Sequence, residues 1–188
     1  PAVSAPPPGE RTPSVLLFTG CVTRALYPKT SAALLSVLSK LGMTWETPRR
    51  QFCCGMAYRQ VGLLEDAREL ARRNIDAFEA AGGGIILADA GGCAASLREY
   101  ALLLREDAEY AERAQRFSAR VQDATDFITA RLRPAAAGRP PSPPAAAAGG
   151  EPQMVVQTPC HQQHVQGLAG VLPSLLDRLG LACRPTPP

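Results

Sequence analysis

The chain has 188 residues and a formal net charge of +3, with 46% hydrophobic and 20% charged residues. This composition is typical of a globular protein of one or two domains and excludes a chain that is disordered throughout. The small net charge gives no reason to expect nucleic-acid binding, and no run of about 18 apolar residues offers a membrane span.

The first fifty residues predict a strand, a helix and a second strand after a proline-rich start. Residues 1–13 are interpreted as a linker because proline is frequent and no periodic apolar pattern is present. The apolar run 15–19 predicts a buried strand that ends beside Cys21. Apolar residues at helical spacing predict a helix over 28–42, and residues 44–47 predict a short second strand.

The central part of the chain repeats this alternation of strand and helix. A helix is predicted over 61–81, and the apolar run 85–88 predicts a buried strand that is followed closely by Cys93. Two further helices are predicted over 94–104 and 107–133. Strands that alternate with helices in this order predict an α/β protein with a mainly parallel sheet covered by helices.

The end of the chain resembles its beginning. Residues 134–152 consist mostly of proline, alanine and glycine and are interpreted as a second linker. Residues 154–160 align with 15–21 at an offset of about 139 residues, and a helix predicted over 165–179 follows. The second copy is expected to be cut before its own cysteine pair. The expected organisation is a linker at 1–13, a first module at 14–133, a linker at 134–152 and a truncated second module at 153–188.

Cysteines follow three of the predicted strands, and this pattern indicates a metal site. Cys21, the pair Cys53-Cys54 and Cys93 would lie at the carboxyl ends of parallel strands, where sites form in an open sheet. Adjacent cysteines suit a metal that takes several thiolates from one loop, and Gly55 lets the backbone turn tightly there. Four thiolates can hold a zinc ion or an iron–sulfur cluster, whereas cysteines buried only for packing are the simpler alternative.

Cys160, His161 and His164 form a second group of candidate ligands. Thiolate and imidazole both bind metals, but this segment could equally cap a helix with its histidine side chains solvated. Cys183 has neither a neighbouring glycine nor a partner and is interpreted as incidental. Because the six cysteines occur without a secretory signal, a reducing compartment and metal or redox chemistry are favoured over disulfides.

Several segments of the chain together form a pattern found in a known family. They are residues 52–56, 71–78, 91–100, 104–120 and 159–164. With the repeated module, they resemble the cysteine-rich CCG domain of heterodisulfide reductases and lactate-utilisation proteins. The likeness is greatest to the iron–sulfur subunit of glycolate oxidase.

The resemblance implies two Rossmann-like repeats of the CCG module, the second truncated, in an electron-transfer subunit that is not catalytic alone. This subunit would take electrons from FAD-containing glycolate oxidase subunits and pass them toward the membrane quinone pool. It would be cytoplasmic or peripheral on the inner face of the cell membrane. The expected cofactor is an iron–sulfur cluster of the [4Fe-4S] type, with zinc as the alternative. The expected site residues are Cys21, Cys53, Cys54, Gly55, Cys93, Cys160, His161 and His164.

One departure from the family pattern bears on the ligand set. Many relatives end the module with Cys-x-x-Cys, whereas Ala90 and Ser96 stand three residues before and after Cys93. Two other interpretations use the same thiolates. One is a structural zinc module that docks subunits, and the other is a thiol–disulfide site at Cys53-Cys54, which the strain of a vicinal disulfide disfavours. The chain has no Walker loop, nucleophile elbow or dinucleotide fingerprint, so substrate oxidation is expected on a partner.

Overall fold

A computed structural model describes residues 14–132, 154–181 and 183–185. The strands within these ranges are β1 Val15–Phe18, β2 Trp45–Glu46, β3 Ile85–Ala88, β4 Val121–Asp123, β5 Met154–Val156 and β6 Cys183–Pro185. The helices are α1 Cys21–Leu26, α2 Pro28–Lys40, α3 Met56–Gln60, α4 Leu64–Ala80, α5 Gly91–Arg98, α6 Tyr100–Leu103, α7 Ala111–Ala119, α8 Ala124–Arg131 and α9 Val171–Arg178, with a π-helix at His161–Val165.

Contacts divide the described residues into two compact units, one ending at Ala124 and one beginning at Thr125. The first unit contains a four-stranded parallel sheet in the order β2-β1-β3-β4. Val15 pairs with both Trp45 and Ile85, so β1 lies in the interior of the sheet. The α/β class with a mainly parallel sheet is therefore confirmed.

The strand order creates a switch point between β1 and β3. The chain leaves β1 to reach β2 on one side, and it leaves β3 to reach β4 on the other side. Connections that diverge in this way open a crevice at the carboxyl ends of the two strands, where α/β sheets bind ligands. The segment after β1 contains Gly20-Cys21, and the segment after β3 contains Cys93.

The core lies against one face of the sheet and is rich in aromatic side chains. Phe18 and Phe78 stack with ring centroids 5.9 Å apart, and Phe117 meets Phe78 edge-on at 5.7 Å. The Tyr100 ring stacks on Phe117 at 5.4 Å. The strand residues facing the opposite way, such as Leu17, are also buried, so both faces of the sheet are covered as expected for parallel strands.

The prediction of a single helix over 107–133 is wrong, because a strand lies within this range. Helix α7 ends at Ala119, and Val121–Asp123 forms β4, which pairs with β3 through Ile86. The apolar spacing of Phe117 and Val121 imitates a helix, but both side chains are buried as parts of different elements. The predicted helix over 61–81 is present as α4, which begins at Leu64, and the short helix α3 precedes it. The predicted helix over 94–104 is divided into α5 and α6.

The second unit contains a smaller parallel pair of strands. Met154 pairs with Cys183, so the cysteine interpreted as incidental lies at the start of β6. The order β5, helix, β6 resembles the order β1, helix, β2 of the first unit, at the offset seen in the sequence. Both predicted linkers lie outside the described residues. Within the described ranges, no helix has the length and apolar character needed to cross a bilayer.

Candidate functional site

Three segments of the first unit bring cysteines to the crevice at the switch point. Cys21 is the first residue of α1, directly after β1. Cys93 lies in the first turn of α5, after β3. Cys53 and Cys54 follow β2 in a loop that ends at Gly55, whose φ of 80° and ψ of 0° lie in the left-handed region that favours glycine. These four cysteines are called the four-cysteine rim below.

The cysteines of the rim lie close together in the structure. The Sγ atoms of Cys21 and Cys53 are 3.8 Å apart, and Cys93 packs against the core cluster that contains the buried Cys54. All four cysteines are free thiols. Cys21 is exposed at the surface, whereas only 5% of Cys54 is accessible. In the described part of the chain, no three His, Cys, Asp or Glu side chains form a ready single-ion site.

The thiols of the rim have different pKa values, which depend on their burial and on their neighbours. The thiol of Cys93 lowers the pKa of Cys54 to about 6 against the opposing effect of burial, and the Met56 N–H adds to the lowering. Burial raises the pKa of Cys53 to about 11, although the Gly55 N–H partly offsets it. The pKa of Cys93 is raised because its proton is donated to Cys54. Cys54 is therefore the thiolate nearest to forming at neutral pH, and thiolates are the form that binds metals.

Side chains from neighbouring elements hold the two loops of the rim in place. The carboxylate of Asp89 accepts a hydrogen bond from the Gly20 N–H at 2.8 Å and one from the Ser31 hydroxyl at 2.7 Å. The amide of Gln51 accepts from the Thr19 N–H at 2.8 Å and donates to the Leu17 carbonyl at 3.3 Å. The ends of β1 and β3 are thereby joined to the loops that carry the cysteines.

The residues whose side chains hold the backbone of the four-cysteine rim were not predicted from the sequence. Asn74, Ser96 and Tyr100 are buried and hydrogen-bonded to the backbone of the cysteine loop, and Asp89 and Gln51 act at its flanks. One indication was available. Asn74 is an amide within the apolar stripe of α4, whose other buried residues are Ala67, Ala71, Ile75 and Phe78.

Gly20 makes the closest approach to the rim. A Cβ added there would lie 3.2 Å from Cys93 Sγ and 3.2 Å from the Thr23 hydroxyl, closer than ordinary contact. The φ of Gly20 is −58°, so alanine would meet no backbone strain. We therefore expect Gly20→Ala to displace the Cys93 sulfur, at a stability cost of about 1–3 kcal/mol typical of overpacking.

This displacement is expected to lower the metal retained by the protein several-fold in a competition with a chelator. Gly170→Ala is the matched control, because Gly170 has a φ of −92° and no atom within 4 Å of an added Cβ. Equal metal retention in the two variants would show that the Cys93 sulfur does not contribute to the site.

The second group of predicted ligands lies in the second unit. Cys160 is exposed and immediately precedes the π-helix, which contains both His161 and His164. The His164 side chain is exposed and that of His161 is half-buried. Ligation by these three residues stays a prediction.

Comparison with known proteins identifies the class of the first unit. Residues 15–98 match the CCG cysteine-rich domain family. This match contains the four-cysteine rim and the three strands whose ends form it. The fold and the rim thus define an α/β module of the cysteine-rich type.

Curated relatives extend the similarity beyond that module. The chain is 32% identical over 184 residues to the glycolate oxidase iron-sulfur subunit of Escherichia coli (strain K12), covering 96% of this chain and 43% of that protein. It is 36% identical over 120 residues to the probable glycolate oxidase iron-sulfur subunit of Bacillus subtilis (strain 168), covering 64% of this chain and 27% of that protein. Lactate utilization protein A of Bacillus licheniformis is 29% identical over 174 residues, which are 92% of this chain and 68% of that protein.

The sequence match places residues 15–98 in the CCG cysteine-rich domain family. The chain spans less than half the length of the two glycolate oxidase subunits to which it is similar.

Proposed function

We propose that the chain is part of an iron–sulfur electron-transfer subunit of an enzyme that oxidises glycolate or a related 2-hydroxy acid. This proposal rests on one observation. Four free thiols from three separate segments lie together at the carboxyl ends of the parallel strands. The names of two similar proteins, both iron–sulfur subunits of glycolate oxidase, support the same function.

The thiols present fit an iron–sulfur cluster in number and chemistry. A [4Fe-4S] cluster takes four cysteine thiolates and supplies reversible one-electron transfer. Cys21, Cys53, Cys54 and Cys93 would be its ligands, and Gly55 would give the loop its tight turn beside it. Each of the four thiolates would bind a different iron, since such a cluster takes one cysteine per iron. Cys160, His161 and His164 are proposed as candidate ligands within the second unit.

The chain would act between two partners. A flavin subunit carrying FAD would oxidise the hydroxy acid, and electrons would pass through the cluster toward the quinone pool of the membrane. The exposure of Cys21 supports this role, because a redox centre at the surface can exchange electrons with a docked protein. A cytoplasmic or inner-face peripheral position agrees with such a path.

A structural zinc module is the second candidate. Four thiolates about 2.3 Å from a tetrahedral zinc lie about 3.8 Å from one another. The Cys21–Cys53 separation of 3.8 Å has this value, and zinc bound there would stabilise a docking surface without moving electrons. The same cysteines serve both candidates, so the metal itself must be identified.

Metal analysis of the anaerobically purified and reconstituted chain separates the two candidates. We expect iron and acid-labile sulfide in equal amounts, with a visible absorption band that bleaches on addition of dithionite. A colourless protein holding one zinc per chain would support the structural module. If the electron path is complete, glycolate is expected to bleach this band only when the flavin subunits are present.

A further inference from the structure

Three polar side chains are fully buried beneath the cysteine loop. Asn74, Ser96 and Tyr100 each have an exposed fraction of 0%, and they come from α4, α5 and the start of α6. Burying a polar group is costly unless it is hydrogen-bonded, so three of them at one place need a common reason. These three residues are called the buried polar cluster below.

Hydrogen bonds from the cluster reach three consecutive residues of the loop. The Asn74 side chain accepts from the Phe52 N–H at 2.8 Å and donates to the Cys53 carbonyl at 3.0 Å. It also donates to the Tyr100 hydroxyl at 3.0 Å, and that hydroxyl donates to the Cys54 carbonyl at 3.1 Å.

A second donor completes the arrangement at Cys54. The Ser96 hydroxyl donates to the same Cys54 carbonyl at 2.9 Å, so this oxygen accepts two bonds from buried side chains. A carbonyl oxygen has two lone pairs, and both are therefore in use. The peptide planes of Cys53 and Cys54 are held with their carbonyls directed into the protein.

The opposite side of this backbone faces the sulfurs. The Gly55 N–H acts to lower the pKa of the Cys53 thiol, and the Met56 N–H acts to lower that of Cys54, so both N–H groups favour negative charge on these sulfurs. The Cys54 carbonyl and the Gly55 N–H belong to one planar peptide group and point in opposite directions, so fixing this carbonyl inward also fixes the Gly55 N–H on the side of the thiols. Hydrogen bonds to the ligand sulfurs are one of the factors that set the reduction potential of an iron–sulfur cluster.

We propose that Asn74, Ser96 and Tyr100 are positioning residues that hold the backbone of Cys53 and Cys54 in its metal-binding conformation before any metal arrives. This inference rests on the proposed function, because it assigns the buried polar cluster to the same centre. The cluster does two things for that centre. It lowers the entropy lost when the loop binds metal, and it orients the Gly55 N–H, a donor that favours the more negative, reduced state.

Tyr100→Phe is the sharpest test, because it removes only the hydroxyl and leaves the ring stacked on Phe117. Tyr110→Phe is its matched control, since the Tyr110 hydroxyl bonds to the exposed carboxylate of Asp76. We expect Tyr100→Phe to release iron to a chelator about tenfold faster or more, the range typical of losing a residue that orients a metal ligand. We also expect its midpoint potential to become more negative, because the Gly55 N–H is less firmly held.

A purely structural role predicts a different outcome. Tyr100→Phe would then lower the unfolding temperature but match Tyr110→Phe in iron release and potential, and that result would overturn the proposal. Ser96→Ala provides an independent variant, with Ser118→Ala as its control. The Ser118 hydroxyl also donates to a backbone carbonyl, that of Leu97, at 3.0 Å.

Hydrogen exchange in the metal-free chain separates this inference from the proposed function. Peptides covering residues 52–56 should exchange faster in Tyr100→Phe than in Tyr110→Phe, since the loop loses one of its fixed carbonyls. Equal exchange would refute the positioning role whether or not the wild-type chain binds iron. An absence of iron in the wild-type chain would refute the proposed function, and the exchange comparison would still decide the positioning role.

Discussion

Replacing Cys54 with serine is expected to lower the iron bound by the reconstituted chain by about tenfold or more, because even the loss of a residue that only orients a metal ligand typically costs about 10–100-fold in affinity. Cys54 is the most buried thiol of the four-cysteine rim and contacts the Cys93 thiol. Its lowered pKa makes it the thiolate most readily offered to a metal at neutral pH. A serine hydroxyl stays protonated there and is a hard donor where a soft one is needed.

Cys183→Ser is the matched control for this variant. It makes the same chemical change on β6 of the second unit and leaves all four thiols of the rim intact. We expect its iron content and visible spectrum to match those of the wild-type chain. Similar iron loss in both variants would overturn the assignment of the rim as the metal centre. Circular dichroism of the metal-free proteins would show whether either substitution changes the fold.

The placement of the rim follows from features that a sequence displays. Apolar runs of four residues predict β1 and β3, and in a parallel sheet the carboxyl ends of these strands lie on the same side. Because Cys21 and Cys93 follow these strands closely, their approach could be expected from the sequence alone. The double cysteine needed only the weaker inference that a short strand precedes it, and β2 has just two residues.

Other parts of the fold could not be predicted, because their signals are ambiguous. The three residues of β4 form no apolar run, and Val121 follows the buried Phe117 of α7 by four residues, which is a helical spacing. Only pairing with β3 distinguishes the strand, and that pairing joins residues about 35 positions apart. The same holds for β6, where Cys183 carries no local sign of a strand.

The hydrogen bonds that support the four-cysteine rim join residues far apart in the sequence, so no local sequence pattern predicts them. Asn74 is 22 residues from Phe52 and Tyr100 is 46 residues from Cys54 along the chain. Ser96 shows the difficulty most clearly. Its position invites comparison with a cysteine of the wider family, yet its hydroxyl binds the Cys54 carbonyl, a role that no spacing rule indicates. A polar residue on the buried face of a helix is therefore the best sequence indication of a residue that supports a site.

Truncating Phe78 to alanine is expected to cause the largest loss of stability in the first unit. Phe78 is completely buried on α4, between the rings of Phe18 and Phe117. Phenylalanine-to-alanine changes in cores cost about 3–5 kcal/mol through lost apolar burial and the cavity left behind. Stabilities of natural domains are about 5–15 kcal/mol, so this single change removes a large fraction of the total. The expected fall in unfolding temperature is about 10–20 °C.

Phe52→Ala is the matched control, because it removes the same side chain from a site that is 40% exposed. The Phe52 ring is covered by the Arg73 guanidinium 5.3 Å away, a contact worth about 0.5–1 kcal/mol at an exposed site. Trp45 is the only tryptophan of the chain and lies on β2, so its fluorescence during urea unfolding reports on the first unit alone. Equal shifts of the urea midpoint in the two variants would show that the aromatic stack does not stabilise the sheet. A large shift confined to Phe78→Ala would show that α4, which also carries Asn74 one turn earlier, is held to the sheet by this stack.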